Sequence, residues 1–220
     1  MSKRIISLFL AVAMLFCVSF SAVAYDTADW DSEQEITIVN LSDTISPQEL
    51  TEIEQSVGAH IVMNDGRTVP IAAVVTVEDM PLADFSTYAL SPENSYKVTV
   101  QATASEDKIV SDSGEQNYSG INVSATLQLI WTDGPGLDNV IKKVSGTRTV
   151  LKGSVDYATV QWGDGWRTAV TWTTKDVTNM SSFSYSPNKT VSCPKAQYSI
   201  MMVNAPISSL LLTVSSSVWQ

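Results

Sequence analysis

One histidine, His60, and two cysteines, Cys17 and Cys193, stand in a chain of 220 residues. That scarcity closes off several chemistries. A Ser-His-Asp or Cys-His pair would have to use His60, which sits beside Ile61 and Val62 at the start of a strand-like run, with no G-x-S-x-G nucleophile turn anywhere. Zinc held by histidine and cysteine takes three or four such ligands together, more than His60 and Cys193 can supply once Cys17 is lost with the expected signal peptide. Neither a G-x-x-x-x-G-K-[ST] loop nor a G-x-G-x-x-G turn is present, so no phosphate-cradling fingerprint exists. Basic residues are also few, 13 against 23 acidic ones for a net charge of −10. An acidic chain without a basic stripe repels phosphodiester backbones and anionic lipid surfaces, so nucleic acid is not an expected partner.

The long apolar run occurs once, at the start. Lys3 and Arg4 precede an apolar stretch from Ile5 to Phe20, broken only by Ser7 and Ser19, and Ala22 and Ala24 then fit the A-x-A pattern of signal peptidase. Residues 1–24 are therefore expected to be a signal peptide cleaved after Ala24, giving a secreted, extracellular protein. A membrane span takes about 20 apolar residues, which residues 5–24 only just reach, so no stable span is expected after cleavage. Phe16 stands before Cys17 where a lipoprotein signal needs a small residue. Loss of Cys17 with the signal leaves Cys193 alone, which excludes an intrachain disulfide and suits a buried, inert thiol. An exported β-rich chain with so short a signal resembles many secreted bacterial proteins, and no motif narrows that resemblance.

Residues 25–59 read as an acidic leader (Asp26, Asp29, Asp31, Glu33, Glu35), a short strand at Ile36–Val39 and one helix. Ser46 as N-cap, Pro47 at the first helical position and Glu49 three residues after Ser46 form a capping box. Leu50, Ile53 and Val57 follow at helical spacing, and Gly58 is placed to end the helix. From His60 to Gln220 the period changes to two. Tyr96, Val98, Val100, Ala102 and Ala104 alternate with polar residues, as do Ile121, Val123, Ala125, Leu127, Leu129 and Trp131. Ile71–Val77 reads as one strand buried on both faces, Ser105–Ser119 as a long surface loop, and further strands are expected near 139–151, 154–162, 166–174, 196–204 and 209–218. The predicted fold is a mostly β, antiparallel β-sandwich, Ig-like or jelly-roll-like, over residues 60–220, with one short N-terminal helix. An up-and-down barrel is the alternative.

The clearest hairpin is Trp162-Gly163-Asp164-Gly165-Trp166, where Gly at the last loop position suits a type I turn with a G1 bulge. In that register Trp162 faces Trp166, Val160 faces Thr168 and Asp156 faces Trp172. Trp131, Trp162, Trp166 and Trp172 then fall on core faces, and Tyr157 on the polar face. Tyr157, Trp162 and Trp166 are the candidate ligand-binding residues, because exposed aromatic rings near a hairpin mouth can stack on sugars.

No catalytic residues and no cofactor are predicted. Calcium is the metal whose ligands are at hand: Asp133 and Asp138 place oxygens on a Gly-rich turn, without the full set of six to eight that a hard cation takes. Glu78-Asp79, Glu106-Asp107, Asp156 and Asp164 are carboxylates that a glycoside hydrolase would use in pairs, and spacing alone brings no two together. The expected function is a non-enzymatic extracellular protein whose sandwich faces or loops contact a protein or glycan. A carbohydrate-binding module is the alternative, and a carboxylate-dependent glycoside hydrolase the third reading.

Overall fold

Ser46 begins the local order as the sequence predicts. Its hydroxyl accepts the Glu49 N–H at 3.2 Å, and Glu49 Oε2 accepts the Ser46 N–H at 2.8 Å, closing the capping box of helix α1, Pro47–Ser56. The helix stops at Ser56 with Val57 extended beyond it, and Gly58, instead of ending the helix, opens the next strand. The computed structural model describes residues 36–42, 45–64, 66–79, 95–106, 120–133, 139–165, 172–203 and 207–216. The expected signal peptide, the leader and most of the 105–119 loop lie outside these.

The strands are β1 (Ile36–Asn40), β2 (Gly58–Met63), β3 (Thr68–Ile71), β4 (Ala73–Asp79), β5 (Ser95–Glu106), β6 (Ile121–Asp133) and β7 (Asn139–Lys152), then β8 (Val155–Asp164), β9 (Thr173–Asp176), β10 (Ser182–Tyr185), β11 (Lys189–Val191), β12 (Pro194–Met202) and β13 (Ile207–Ser215). They make two sheets. One has the order β1-β4-β5-β6-β7-β10, with β11 also on β7; the other runs β3-β2-β13-β12-β8-β9. All pairings are antiparallel except β1 on β4. The two sheets pack face to face as a β-sandwich.

Alternation decides what goes inside. Val75, Val98, Val100, Leu127, Leu129 and Ile141 from the first sheet and Ile61, Val160, Tyr198, Ile200, Leu210 and Leu212 from the second are all fully buried. Each such aliphatic side chain removed from water contributes about 1.5–3 kcal/mol, which is the main source of stability here. Ile53 and Val57 of the helical stripe are buried as well, while Leu50 is only half-buried. The helix is further tied to the sandwich where the buried Ser56 hydroxyl donates to the Ser215 carbonyl at 2.6 Å.

Three features depart from the sequence reading. Ile71–Val77 is not one doubly buried strand: β3 and β4 belong to different sheets, and the chain crosses between them at exposed Ala72. Val74 and Thr76 therefore face outward, half-exposed. The tight hairpin at Gly163–Gly165 does not form. The partner of Trp162 is Thr173 and that of Val160 is Lys175, seven residues beyond the expected register. The cause is long-range: Asp164 is buried and accepts the backbone N–H groups of Ser192 and Cys193 at 3.2 Å each, and the Gly165 N–H donates to the Cys193 carbonyl at 2.7 Å. These bonds carry β8 onward along the start of β12 where a local turn would have reversed it. Finally, β10 and β11 are short strands that the sequence reading missed.

The segment after β9 crosses back to the first sheet and closes one side of the sandwich. The Val177 N–H donates to the Ala158 carbonyl on one sheet, and the Arg148 N–H on the other donates to the Ser181 carbonyl. The Arg148 guanidinium donates to the Thr178 carbonyl. Burial pushes the Tyr198 phenol up, and the neighbouring Arg148 cation offsets part of that rise. Phe183 of β10 lies against Gly146 of β7; a Cβ at Gly146 would stand 2.5 Å from the Thr126 carbonyl oxygen and 2.6 Å from Phe183 Cζ.

Candidate functional site

The outer face of the six-stranded sheet takes shape from two strands that alternate in phase. In β8, Ala158, Val160 and Trp162 point inward, leaving Tyr157, Thr159 and Gln161 outward; in β12, Ala196, Tyr198 and Ile200 point inward, leaving Lys195, Gln197, Ser199 and Met201 outward. Register sets the outward residues side by side: Tyr157 with Met201, Thr159 with Ser199, Gln161 with Gln197 and Gly163 with Lys195. Tyr157 is 42% exposed and Met201 43%, two of the most open large apolar side chains among the described residues. On the far side of β8, Thr174 and Asp176 of β9 lie beside Gln161 and Thr159.

Trp172 completes this face at its other end. The shift in register that removes the tight hairpin also moves Trp172 out of the core position expected for it: it is half-exposed, with Lys195 Nζ 5.9 Å from the centre of its ring. A cation over an indole face is attracted by the ring's electron-rich face, which restrains both side chains. From Tyr157 to the level of Gly163, beside which Trp172 emerges, β8 spans about 20 Å.

The face is close to neutral. Lys195 carries one positive charge, and burial lowers its pKa from the usual lysine range. Asp176 carries one negative charge; its carboxylate takes the Thr178 N–H at 2.8 Å, and the bonds from Thr178 hold its pKa below the ordinary value. His60 lies on the same face, opposite Leu211, and burial lowers its pKa, which favours the uncharged ring. Gln197 Nε2 donates to Thr213 Oγ1 at 3.5 Å, which orients its amide beside Gln161.

The other candidates separate. Trp162 is buried, its ring 5.1 Å from that of Tyr185, and offers no open stacking face. Trp131 is also core, stacked 5.3 Å from Tyr96. Trp166 and Asp138 lie outside the described residues. Asp133 ends β6 opposite Asn139. Among the described residues, no three His, Cys, Asp or Glu side chains gather as a metal cluster would require. Glu78 is ion-paired with Lys97 at 2.9 Å and Asp164 is occupied by its two backbone amides. Cys193 is buried, its Sγ 3.5 Å from Ser215 Oγ and 3.6 Å from Ser216 Oγ. Among the described residues, no helix is long and apolar enough to cross a membrane.

The outer face of the other sheet differs in kind. Its centre is Thr99, Gln101, Thr126, Gln128, Ser145 and Thr147, and these side chains bond largely to one another: Gln128 Nε2 to Thr99 Oγ1 at 3.2 Å, Ser145 Oγ to Gln128 Oε1 at 3.1 Å, and Thr126 Oγ1 with Thr147 Oγ1 at 2.8 Å. It has no aromatic ring in that span.

No family model matches the chain, and no curated protein or solved structure does. Sequence reasoning singled out Tyr157 and missed Met201, Gln197 and Trp172. The first two were available in the alternation of Lys195, Gln197, Ser199 and Met201 with Ala196, Tyr198 and Ile200; Trp172 was hidden behind the mistaken hairpin register.

Proposed function

We propose that this is a non-enzymatic extracellular binding protein that engages a macromolecule through the outer face of its six-stranded sheet. The observation that carries the reading is the pair Tyr157 and Met201, neighbours in register and each more than two-fifths exposed. Large apolar side chains held on a rigid strand are contact groups that lose little freedom on binding, and Tyr is among the residues that dominate binding energies. Carboxylates tied into an ion pair or to backbone amides, as Glu78 and Asp164 are, favour binding over hydrolysis. Export rests on Lys3, Arg4, the apolar run after them and the small residues Ala22 and Ala24.

Adsorption of the purified chain to envelope and matrix material of the exporting cells tests the reading. The double variant Tyr157→Ala/Met201→Ala should adsorb about tenfold less or worse, while Thr126→Ala on the opposite sheet should adsorb like the parent. Equal adsorption by all three proteins refutes the assignment. N-terminal sequencing of the exported protein should begin at Tyr25, and a start at Met1 would contradict export by cleavage.

A further inference from the structure

We infer that the ligand of this face is a neutral, extended polysaccharide lying along β8 from Tyr157 to Trp172. The inference rests on the reading that this is the binding face, and it adds the chemistry of the occupant.

Main-chain recognition is unavailable there. From Thr159 to Trp162 β8 is paired with β12 on one side and β9 on the other, the Ala158 carbonyl accepts the Val177 N–H, and β12 is paired with β13 and β8. A peptide that adds a strand needs an unpaired edge, so whatever lies across β8 and β12 is held by side chains alone. Those side chains are of two kinds. Tyr157 and Trp172 stand at the ends of the strip, and Gln161, Gln197, Thr159 and Ser199 lie between. Amides and hydroxyls both donate and accept, as sugar hydroxyls do. An aromatic ring offers an apolar face for the C–H side of a pyranose. A strip of about 20 Å accommodates several sugar units in a row, so modest contacts add along one chain.

Charge selects among polymers. The strip carries Lys195 and Asp176, one of each sign, on a molecule of net charge −10. An anionic polysaccharide meets the overall field unfavourably, and a cationic one finds no concentrated acidic patch on this strip. An uncharged chain meets neither cost. Among the described residues, the centre of the opposite sheet's outer face has no aromatic ring and spends its hydroxyls on internal bonds, which makes it the built-in control.

The experiment is affinity electrophoresis in native gels cast with soluble β-glucan, xylan or galactomannan, with adsorption to insoluble cellulose and chitin alongside. At least one of these polymers should retain the protein, and retention should persist at about 0.5 M salt, where charge attraction is screened within a few ångströms. Tyr157→Ala and Trp172→Ala should each weaken retention by about tenfold. Gln161→Ala, on an outward position that leaves packing intact, should weaken it less, and Thr126→Ala not at all. Failure of all five polymers, retention abolished by salt, or retention indifferent to Tyr157 and Trp172 overturns the inference. If adsorption to cell material depends on Tyr157 and Met201 but no neutral polysaccharide competes for it, the face binds a protein: the binding reading stands and this one falls. If that adsorption ignores Tyr157 and Met201, both fall.

Discussion

The Tyr96 hydroxyl donates to Glu49 Oε1 at 3.1 Å, joining β5 to the first turn of the helix. Glu49 thus closes the capping box with one oxygen and receives Tyr96 with the other. The hydrogen bonds from Ser46, with Tyr96 contributing, hold its carboxyl below the usual carboxylate range. A carboxyl depressed in the folded state stabilises above its unfolded pKa and loses that contribution as pH falls through the folded value. Glu49→Gln should therefore lower the melting temperature at neutral pH and flatten its acid decline. Ser46→Ala should cost about 0.5–2 kcal/mol. Thermal melts between acid and neutral pH measure both.

The helical stripe is unequally buried, and its substitutions should differ accordingly. Ile53 is 3% exposed, so Ile53→Ala should cost about 2–5 kcal/mol. Leu50 is half-buried, and Leu50→Ala should cost clearly less. Denaturant unfolding of the two variants reads the order directly, and a larger loss at Leu50 would contradict the docking described.

Tyr157 and Trp162 lie on the same strand and point to opposite sides of the sheet. Trp162→Ala should cost about 3–5 kcal/mol, and Tyr157→Ala should stay within about 0.5 kcal/mol of the parent. The same melts decide it.

Gly146 has no room for a methyl group. Gly146→Ala would push against the Thr126 carbonyl and the Phe183 ring and should destabilise by about 1–3 kcal/mol. Phe183→Leu in the same chain should recover only part of the loss, because the backbone carbonyl still blocks the site.

Cys193 is 1% exposed, so its thiol should react slowly with an aromatic disulfide reagent in the native protein and promptly in guanidinium. Prompt reaction without denaturant would mean that the Pro194 end of β12 opens locally.

Strand existence and facing were legible wherever alternation ran long. β5 and β6 carry clean period-two patterns, and the capping box announced the helix. The misreadings share a cause: local rules were outvoted by partners far along the chain. Gly163-Asp164-Gly165 has the composition of a turn, yet Asp164 is held by Ser192 and Cys193. Ile71–Val77 looks continuous, yet its halves pair with β2 and with β1 and β5. β10 and β11 are too short for a period to register. At the candidate face, Tyr157 could be placed from its own strand, whereas Trp172 depended on a register that no local signal fixed.

The position of β13 bears on when the fold can assemble. Ile207–Ser215 lies between β2, at Gly58–Met63, and β12, at Pro194–Met202. The centre of one sheet therefore consists of segments from near both ends of the described chain, and Ile61, Leu210 and Ile200 meet only once the last of these strands has been synthesised. Pairings of such long sequence separation fold slowly, because the entropy of closing the loop precedes any gain from contact. Until Ile207–Ser215 has been made, β2 lacks its inner neighbour and the six-stranded sheet stays divided. A chain so arranged keeps β2 loose and threadable until β13 follows it.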